Sequence, residues 1–573
     1  MSEKKLFARK ATGLVREIGM LTAAIIILCN VMGLGWQKRI FQYSMYLPEN
    51  YWVAGIPPMV MAFIIGGIVI LFSVFAFSIL IAAMPRSGGG YVVISRLVSP
   101  FWAFVGSWFE FLSIAWSFGL ITVAIFEGLN DLGGVAGLTP GYNEGLLFWG
   151  GVVILLLFTA IGCLGVRMAG TLLQILFWIP AVLTVYVIFL LASALANPAI
   201  VATGLAAVGQ AQGLSGVTPA TYVSAAIQQG MDKGALTDYW SAVSVSMIGA
   251  YFAYIGYAAS TFVAGEVKEA NKSLPRVLLL SSVIIIVMYV IVSTLGAYAT
   301  TALGVVTLPN GHVWSLFEAW GFLSYKGSLS AAGVPTISGW TTTVAAMTGL
   351  GMGLGNLNIL LVLFGVLWVT NDIPPFILTA SRILFAMAFD RVLPASLANV
   401  NERFHSPVNA TIVTGVFGLL GVVSETISDF GNGMLGTALK SIGAYSIFAI
   451  GVASTDLFDA VFFTLFALAL VFLPFRKKTI RIFETAPFKI GGKMGMAAIG
   501  VAGVIANLVL DWMILTSPKD AYNILAPTSD NWIAIGFTVF LGIVGALMYW
   551  YYKYGPSRKE VDYATIFAEI PPE

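Results

Sequence analysis

What most limits the folding of this chain is the recurrence of long apolar runs. Twelve can be marked, at residues 17–36, 57–84, 101–129, 145–164, 171–195, 241–264, 277–302, 353–388, 408–423, 457–475, 494–516 and 531–552. A helix needs about 20 predominantly apolar residues to cross the hydrocarbon of a bilayer, where the backbone must satisfy its own hydrogen bonds. Charged side chains make up 10% of the chain, against about 25% in a soluble domain. The runs are unbroken, whereas a transmembrane β-barrel alternates polar and apolar residues over about ten-residue segments. The expected fold class is an all-α polytopic membrane protein with twelve transmembrane helices.

Basic residues orient the bundle, because Lys and Arg gather on the cytoplasmic side. With both termini cytoplasmic, 23 of the 29 Lys and Arg fall in inner segments. The organisation that follows is an inner tail at 1–16, five helices over 17–195, an outer loop at 196–240, five helices over 241–475, two more over 476–552, and an inner tail at 553–573. The outer stretches 196–240 and 303–352 are long and poor in charge, and loops of that length are functional or disordered. Trp314, Phe317 and Trp320 suggest that part of the second packs over the bundle as a lid. Around 430–456 the boundaries are open. Ser454-Thr455-Asp456 resembles a helix cap, and Ser441 to Val452 reads as a helix at the outer interface.

Several functions are set aside by what the chain lacks. The net charge of +2 and the absence of a basic stripe argue against nucleic acid as a partner. Cys29 and Cys163 both fall inside spans and are expected to be free thiols. His312 and His405 are far apart and in different loops, so neither a metal site nor an enzyme's catalytic cluster is expected. A channel would need a continuous polar lining, which no span shows.

The first run carries Asn30-Val31-Met32-Gly33-Leu34-Gly35-Trp36. Two nearby glycines weaken a helix by roughly 1 kcal/mol each. Small residues also let a neighbouring helix approach closely. A broken membrane helix is tolerated where its backbone is buried in protein or lines a cavity. The sixth run has a matching weak spot, with Gly256 between aromatics in Tyr254-Ile255-Gly256-Tyr257 and Ser260-Thr261 following. A five-helix unit repeated once runs in the opposite sense the second time, and paired weak spots in such a repeat point to a binding site.

Ionisable groups inside spans are costly and are candidates for function. Among them are Glu110 in the third run, Asp372 in the eighth, beside Pro374-Pro375, and Asp511 in the eleventh. The prolines should disturb the eighth helix, so that Asp372 caps the segment after them. Each carboxylate has the alternative role of an interhelical hydrogen bond. Gln174 reads as a packing hydrogen bond. Trp116, Trp178 and Trp368 could line a cavity or simply pack.

The inner loop Met84-Pro85-Arg86-Ser87-Gly88-Gly89-Gly90-Tyr91 resembles the loop after helix 2 in amino-acid permeases of the amino acid–polyamine–organocation superfamily. So do Phe252-Ala253-Tyr254-Ile255-Gly256-Tyr257 with Gly265-Glu266-Val267-Lys268 and Leu274-Pro275-Arg276. The stretch from Ala380-Ser381-Arg382 to Val392-Leu393-Pro394, and Ser406-Pro407-Val408-Asn409-Ala410, complete the set. The resemblance implies the leucine-transporter fold, a 5+5 inverted repeat with helices 1 and 6 discontinuous and two further helices. It also implies substrate contacts at Asn30, Met32, Gly33, Leu34 and Gly35, with the backbone amides of Gly33 and Gly35 holding a carboxylate. Contacts at Tyr254, Ile255, Gly256 and Tyr257 would hold the amino group through carbonyls and cover it with a ring.

The chain departs from that pattern in three places. Leu34 stands where relatives are often polar. Ala258 stands where many carry an acid, which argues against a cationic substrate read at that position. Helix 5 has no lysine in place of a sodium ion. The coupling ion is therefore left as a proton, sodium at Thr370, Thr379 or Ser381, or none. Glu110, Thr370, Asp372, Ser381 and Trp116 are the coupling or gating candidates.

The resemblance thus implies a permease of the cell membrane, not an enzyme and without a cofactor. It would carry a neutral amino acid by alternating access, coupled to a proton or sodium gradient, as a monomer or homodimer. An exchanger of amino acids or polyamines, with Glu110 or Asp372 reading a second amine, and a non-transporting sensor are the alternatives.

Overall fold

The computed structural model describes residues 14–137, 143–476, 480–519, 522–555 and 562–568. The basic residues Lys4, Lys5, Arg9, Lys10, Lys477, Lys478, Arg558 and Lys559, and most of both tails, lie outside the described residues. The chain opens with α1 (Met20–Val31) and, after a break, the outer segments Gly35–Arg39 and Ile40–Gln42. Next come α2 (Pro58–Ala83), α3 (Pro100–Val135), α4 (Glu144–Cys163) and α5 (Val166–Ala196). Then follow α6 (Tyr239–Tyr254), with a short inner piece Ala259–Phe262, α7 (Ala270–Thr301), α8 (Asn358–Phe389) and α9 (Val408–Asp429). The last three are α10 (Gly451–Phe472), α11 (Gly492–Leu515) and α12 (Ser529–Tyr554).

Local chemistry starts these helices where they start. Pro58 and Pro100 sit in first turns, where a missing N–H costs nothing. Asn143 and Asp238 accept from the backbone N–H of Leu146 and Ser241 at 2.9 and 2.6 Å, which caps α4 and α6. Among the described residues, eleven helices are long and apolar enough to cross a membrane. The stretch around α6 is not one of them, because its interruption leaves an unbroken piece of 16 residues.

Burial separates centre from perimeter. The most apolar window of α3 is 89% buried, that of α12 only 17%. Helix α3 packs against α8, α9 and α10, while Trp149 of α4, Val185 of α5 and Trp532 of α12 are exposed on the perimeter. Exposed apolar side chains there suit lipid contact.

Two local expectations fail. Pro374 and Pro375 lie inside a continuous α8, and Asp372 does not cap a following segment. The neighbours hold the weakened turn, with the Asn371 amide donating to Leu176 O of α5 at 3.2 Å. Ser454-Thr455-Asp456 lies within α10 rather than at its start. Thr455 donates back to Val452 O at 2.8 Å and Ser454 pairs with the Tyr522 hydroxyl at 2.9 Å, so neither hydroxyl caps. The run Ser441 to Val452 does not form one interfacial helix, since Tyr445–Ala449 ends at Ile450, where α10 takes over.

The two long loops are folded. Residues 196–240 contain Ala199–Ala211 and Pro219–Gln228. In 303–352, strand β1 (Val305–Thr307) pairs antiparallel with β2 (Val313–Ser315), followed by the helices Leu316–Tyr325 and Thr341–Gly351. Trp314 and Trp320 are fully buried. Phe41, just beyond the break in the first helix, packs edge-on against Phe317 and Trp320 at 5.2 and 5.6 Å. This segment covers the outer end of the first helix.

Glu318 fixes that cover and gives it a pH dependence. Its carboxylate accepts from Ser315 N and Oγ at 3.0 and 2.7 Å. Complete burial, reinforced by the Glu49 carboxylate, pushes its pKa from 4.5 up to about 8, against the smaller opposing effect of the Ser315 hydrogen bonds. A carboxyl whose pKa rises on folding favours the protonated fold, so its stabilisation is lost as pH climbs from 4.5 through about 8. Glu318→Gln is expected to flatten the fall in melting temperature across that window. A slope identical to the wild type would contradict the assignment.

Candidate functional site at two interrupted helices

The first helix stops at Val31. Met32 leaves the helical region at φ −81°, ψ 39°, and Gly33 N–H donates to Val31 O at 2.9 Å in a tight turn. The sixth stops at Tyr254. Ile255 is extended, with ψ 136°, and Gly256 has φ +99°, a conformation that side chains with a Cβ rarely adopt. Both expected breaks are present.

The two breaks touch. A Cβ on Gly35 would lie 2.3 Å from Ala253 Cα, and one on Gly256 would lie 2.6 Å from Asn30 Cγ. Glycine is therefore needed at 35 for the approach of α6 and at 256 for both its backbone angle and the Asn30 side chain. The Asn30 amide is buried, and neither its oxygen nor its nitrogen has a hydrogen-bond partner. Tyr289 of α7 spans the pair. Its hydroxyl contacts Val31 O and lies 2.9 Å from Ala253 O.

Asp372 enters the break from α8. Its Oδ2 accepts from Leu34 N–H at 3.2 Å, and a Cβ on Gly33 would fall 1.8 Å from that oxygen. Its other oxygen is buried without a hydrogen-bond partner. The amide between the two glycines whose own amides the resemblance assigns to a substrate carboxylate is thus held by a carboxylate of the chain itself.

Other residues singled out from the sequence make contacts of their own. Met32 O accepts from the Trp36 indole at 3.1 Å. The Tyr254 hydroxyl donates to Phe63 O of α2 at 3.0 Å. Tyr257 stacks on Phe463 of α10 at 4.9 Å. Glu110 is buried beside Asp459 of α10, which accepts from the Tyr251 hydroxyl at 2.6 Å. Thr370 and Ser381 donate to carbonyls of their own helix, Val366 O and Leu378 O, at 2.7 and 3.0 Å. The Trp116 indole donates to Ser424 of α9 at 2.8 Å, and Trp368 approaches Thr184 of α5 at 3.4 Å. Trp178 is half exposed on the perimeter. Gln174 donates to Thr22 at 2.6 Å, a packing bond between α5 and α1.

Both sides of the gap are closed. On the side of the long loops Lys38 Nζ lies 2.5 Å from Glu127 of α3, 2.7 Å from Glu425 of α9 and 3.6 Å from Asp429. Arg39 reaches Glu425 at 3.4 Å and lies over the Phe252 ring. Lys38, Arg39, Glu127 and Glu425 are all buried. On the opposite side Ile18 N donates to Glu266 O and Lys268 N to Ile18 O, at 2.9 and 2.8 Å. Arg382 of α8 holds Glu266 through two bonds of 2.9 and 3.1 Å. The glycine loop 88–90 packs under Ala259–Phe262, with Gly88 N donating to Phe262 O at 2.8 Å.

Sequence reasoning missed Tyr289, because a tyrosine in an apolar run reads as packing. It also missed the outer charge cluster, because it ended the first run at residue 36.

A family model described as amino acid permease matches residues 18–544. No curated protein matches the chain. Among solved structures, the crystal structure of MhsT in complex with L-phenylalanine aligns with a TM-score of 0.50 at 14% identity. The alignment covers 88% of this chain and 100% of that one. At that identity the likeness concerns the fold alone, which is of leucine-transporter type.

Proposed function

The chain belongs to the amino acid permease family, and from that membership we propose that it is a secondary active transporter working by alternating access. It is a multi-pass membrane protein and a transporter, not an enzyme. In our reading α6 with its inner piece is a twelfth crossing, and the first ten crossings form two inverted five-helix units, with both termini cytoplasmic in the cell membrane. The solute is a small one of the amino acid class. Its amino group is read in the gap by carbonyl ends and by Asp372, and the driving ion is a proton or sodium. The outer cluster at Lys38 and the inner pairings at Glu266 open in turn.

The single observation that supports this reading best is the pair of facing breaks, with the partly unpartnered side chains of Asn30 and Asp372 between them. Broken helices that bury polar groups in the membrane interior are a costly arrangement without a solute to meet. Purified protein in liposomes is expected to take up a labelled solute of this class saturably under an imposed proton or sodium gradient. Uptake that stays linear with concentration, or equals that of empty liposomes, would overturn the proposal.

A further inference from the structure

Helix α12 is peripheral, yet the chain beyond it returns to the end of α8, on the side opposite the long loops. We propose, resting on the transport reading above, that residues 562–568 form a strap that keeps the inner piece Ala259–Phe262 seated, and that release of the strap favours opening on that side.

The strap's own contacts place it. Near the end of α12, Tyr549 packs on Phe101 and Phe104 of α3 at 5.5 and 5.6 Å. Asp562 caps the turn Tyr563–Ile566 by accepting from Ala564 N–H at 3.1 Å. The Tyr563 hydroxyl donates to Arg391 O at 3.0 Å. Ile566 is buried. The Arg96 guanidinium lies 5.3 Å from the centre of the Phe567 ring, a cation–π contact.

The groups beneath the strap frame the seat. Arg96 lies in the last turn of the short helix Gly89–Leu97. It pairs with Asp390, the residue that follows α8, with one bond of 3.0 Å. Both side chains are almost wholly buried. The short helix begins in the glycine loop, whose Gly88 N–H donates to Phe262 O. Helix α8 carries Arg382, which holds Glu266. The two supports of residues 259–266 are thus joined at Arg96–Asp390. The strap touches both, since Phe567 covers Arg96 and Tyr563 takes the carbonyl next to Asp390.

That joint is sensitive to its cover. A Cβ on Gly88 would lie 2.2 Å from Ala386 Cβ, one turn before Asp390, so the supports fit closely. Arg391 has φ +63°, a left-handed conformation that is costly for a residue with a Cβ and persists where neighbours enforce it. The Tyr563 hydroxyl is one such neighbour. A hydrogen bond, a ring and a buried aliphatic side chain are weak beside the packing of a membrane helix, so the strap can leave while α8 and α12 stay folded.

The test compares the full-length protein with the double variant Tyr563→Phe/Phe567→Ala. Both carry Cys163→Ser, so that Cys29, buried in the first helix, is the one thiol left. Amide exchange is followed on peptides covering 259–268 and, at the other end of the pathway, 35–42, and Cys29 is labelled with N-ethylmaleimide. The double variant is expected to speed exchange at 259–268 and labelling of Cys29 by at least about fivefold, as fits the loss of a hydrogen bond and a cation–π contact, with 35–42 unchanged. Phe567→Tyr, which keeps a ring over Arg96, should match the wild type.

Wild-type rates in the double variant would overturn the inference. Equal acceleration at both ends would also overturn it, as general loosening. Should the double variant fail to fold, Tyr563→Phe alone, which removes one hydroxyl, decides by the same readouts. None of them needs transport, so a lack of saturable uptake in liposomes would overturn the transport reading and leave the strap to be judged by exchange.

Discussion

Gly35→Ala is expected to cut transport by at least about a hundredfold. The added methyl would lie 2.3 Å from both Cα and Cβ of Ala253, and neither is the yielding end of a flexible side chain. The outer half of the first helix must therefore move away from α6. Overpacking of this kind costs about 1–3 kcal/mol, and a shift of about 1 Å at a site that positions a solute costs about a hundredfold in rate. Gly19→Ala is the control, because an added methyl there meets nothing within 4 Å. The pair is compared by initial uptake rate in liposomes, using whichever compound raises the wild-type melting temperature. Wild-type rates in Gly35→Ala would show that the contact between the two breaks does not shape the site.

The largest effect on stability is expected from Lys38→Met. Lys38 stands among Glu127, Glu425 and Asp429, with Arg39 as the other cation and bonded to Glu425. Removing it strands buried carboxylates, a loss of about 3–5 kcal/mol. Adding Glu127→Gln to Lys38→Met should restore part of that loss, because the double variant no longer buries the nearest unpaired charge. Thermal melts of the two single variants and the double variant give the coupling. Additive losses would mean that the Lys38–Glu127 contact contributes nothing specific.

Much of the fold was legible in the sequence, because lipid constrains sequence more tightly than water does. Long apolar runs located the helices to within a few residues in most cases. Glycines at 33, 35 and 256 marked the two breaks, since few other features explain glycine amid aromatics in the middle of a span. The charged outer cluster was not legible for the converse reason. Hydropathy treats Lys38 and Arg39 as the end of a span, yet both are buried because their counter-charges are buried with them. Glu425 and Asp429 were hidden in the same way. Helix α9 was expected to stop at 423 but extends to Asp429, carrying Glu425 inside.

The middle of α8 shows a different limit. Pro374-Pro375 predicted a disturbed turn from local rules, and tertiary packing kept it helical. Asp372 was rightly singled out as a costly residue, but its partner at Leu34 is 338 positions away in the chain. No spacing rule reaches that far. Trp116 shows the same limit, since only the fold reveals that its indole ends on Ser424.

The most direct test of the facing-gap account is amide hydrogen exchange followed on peptides covering residues 30–36 and 254–259, with and without the stabilising compound. The account predicts measurable exchange in both segments when the protein is alone, and joint protection when the compound is added. Protection confined to one segment, or ligand binding that leaves both unchanged, would contradict it.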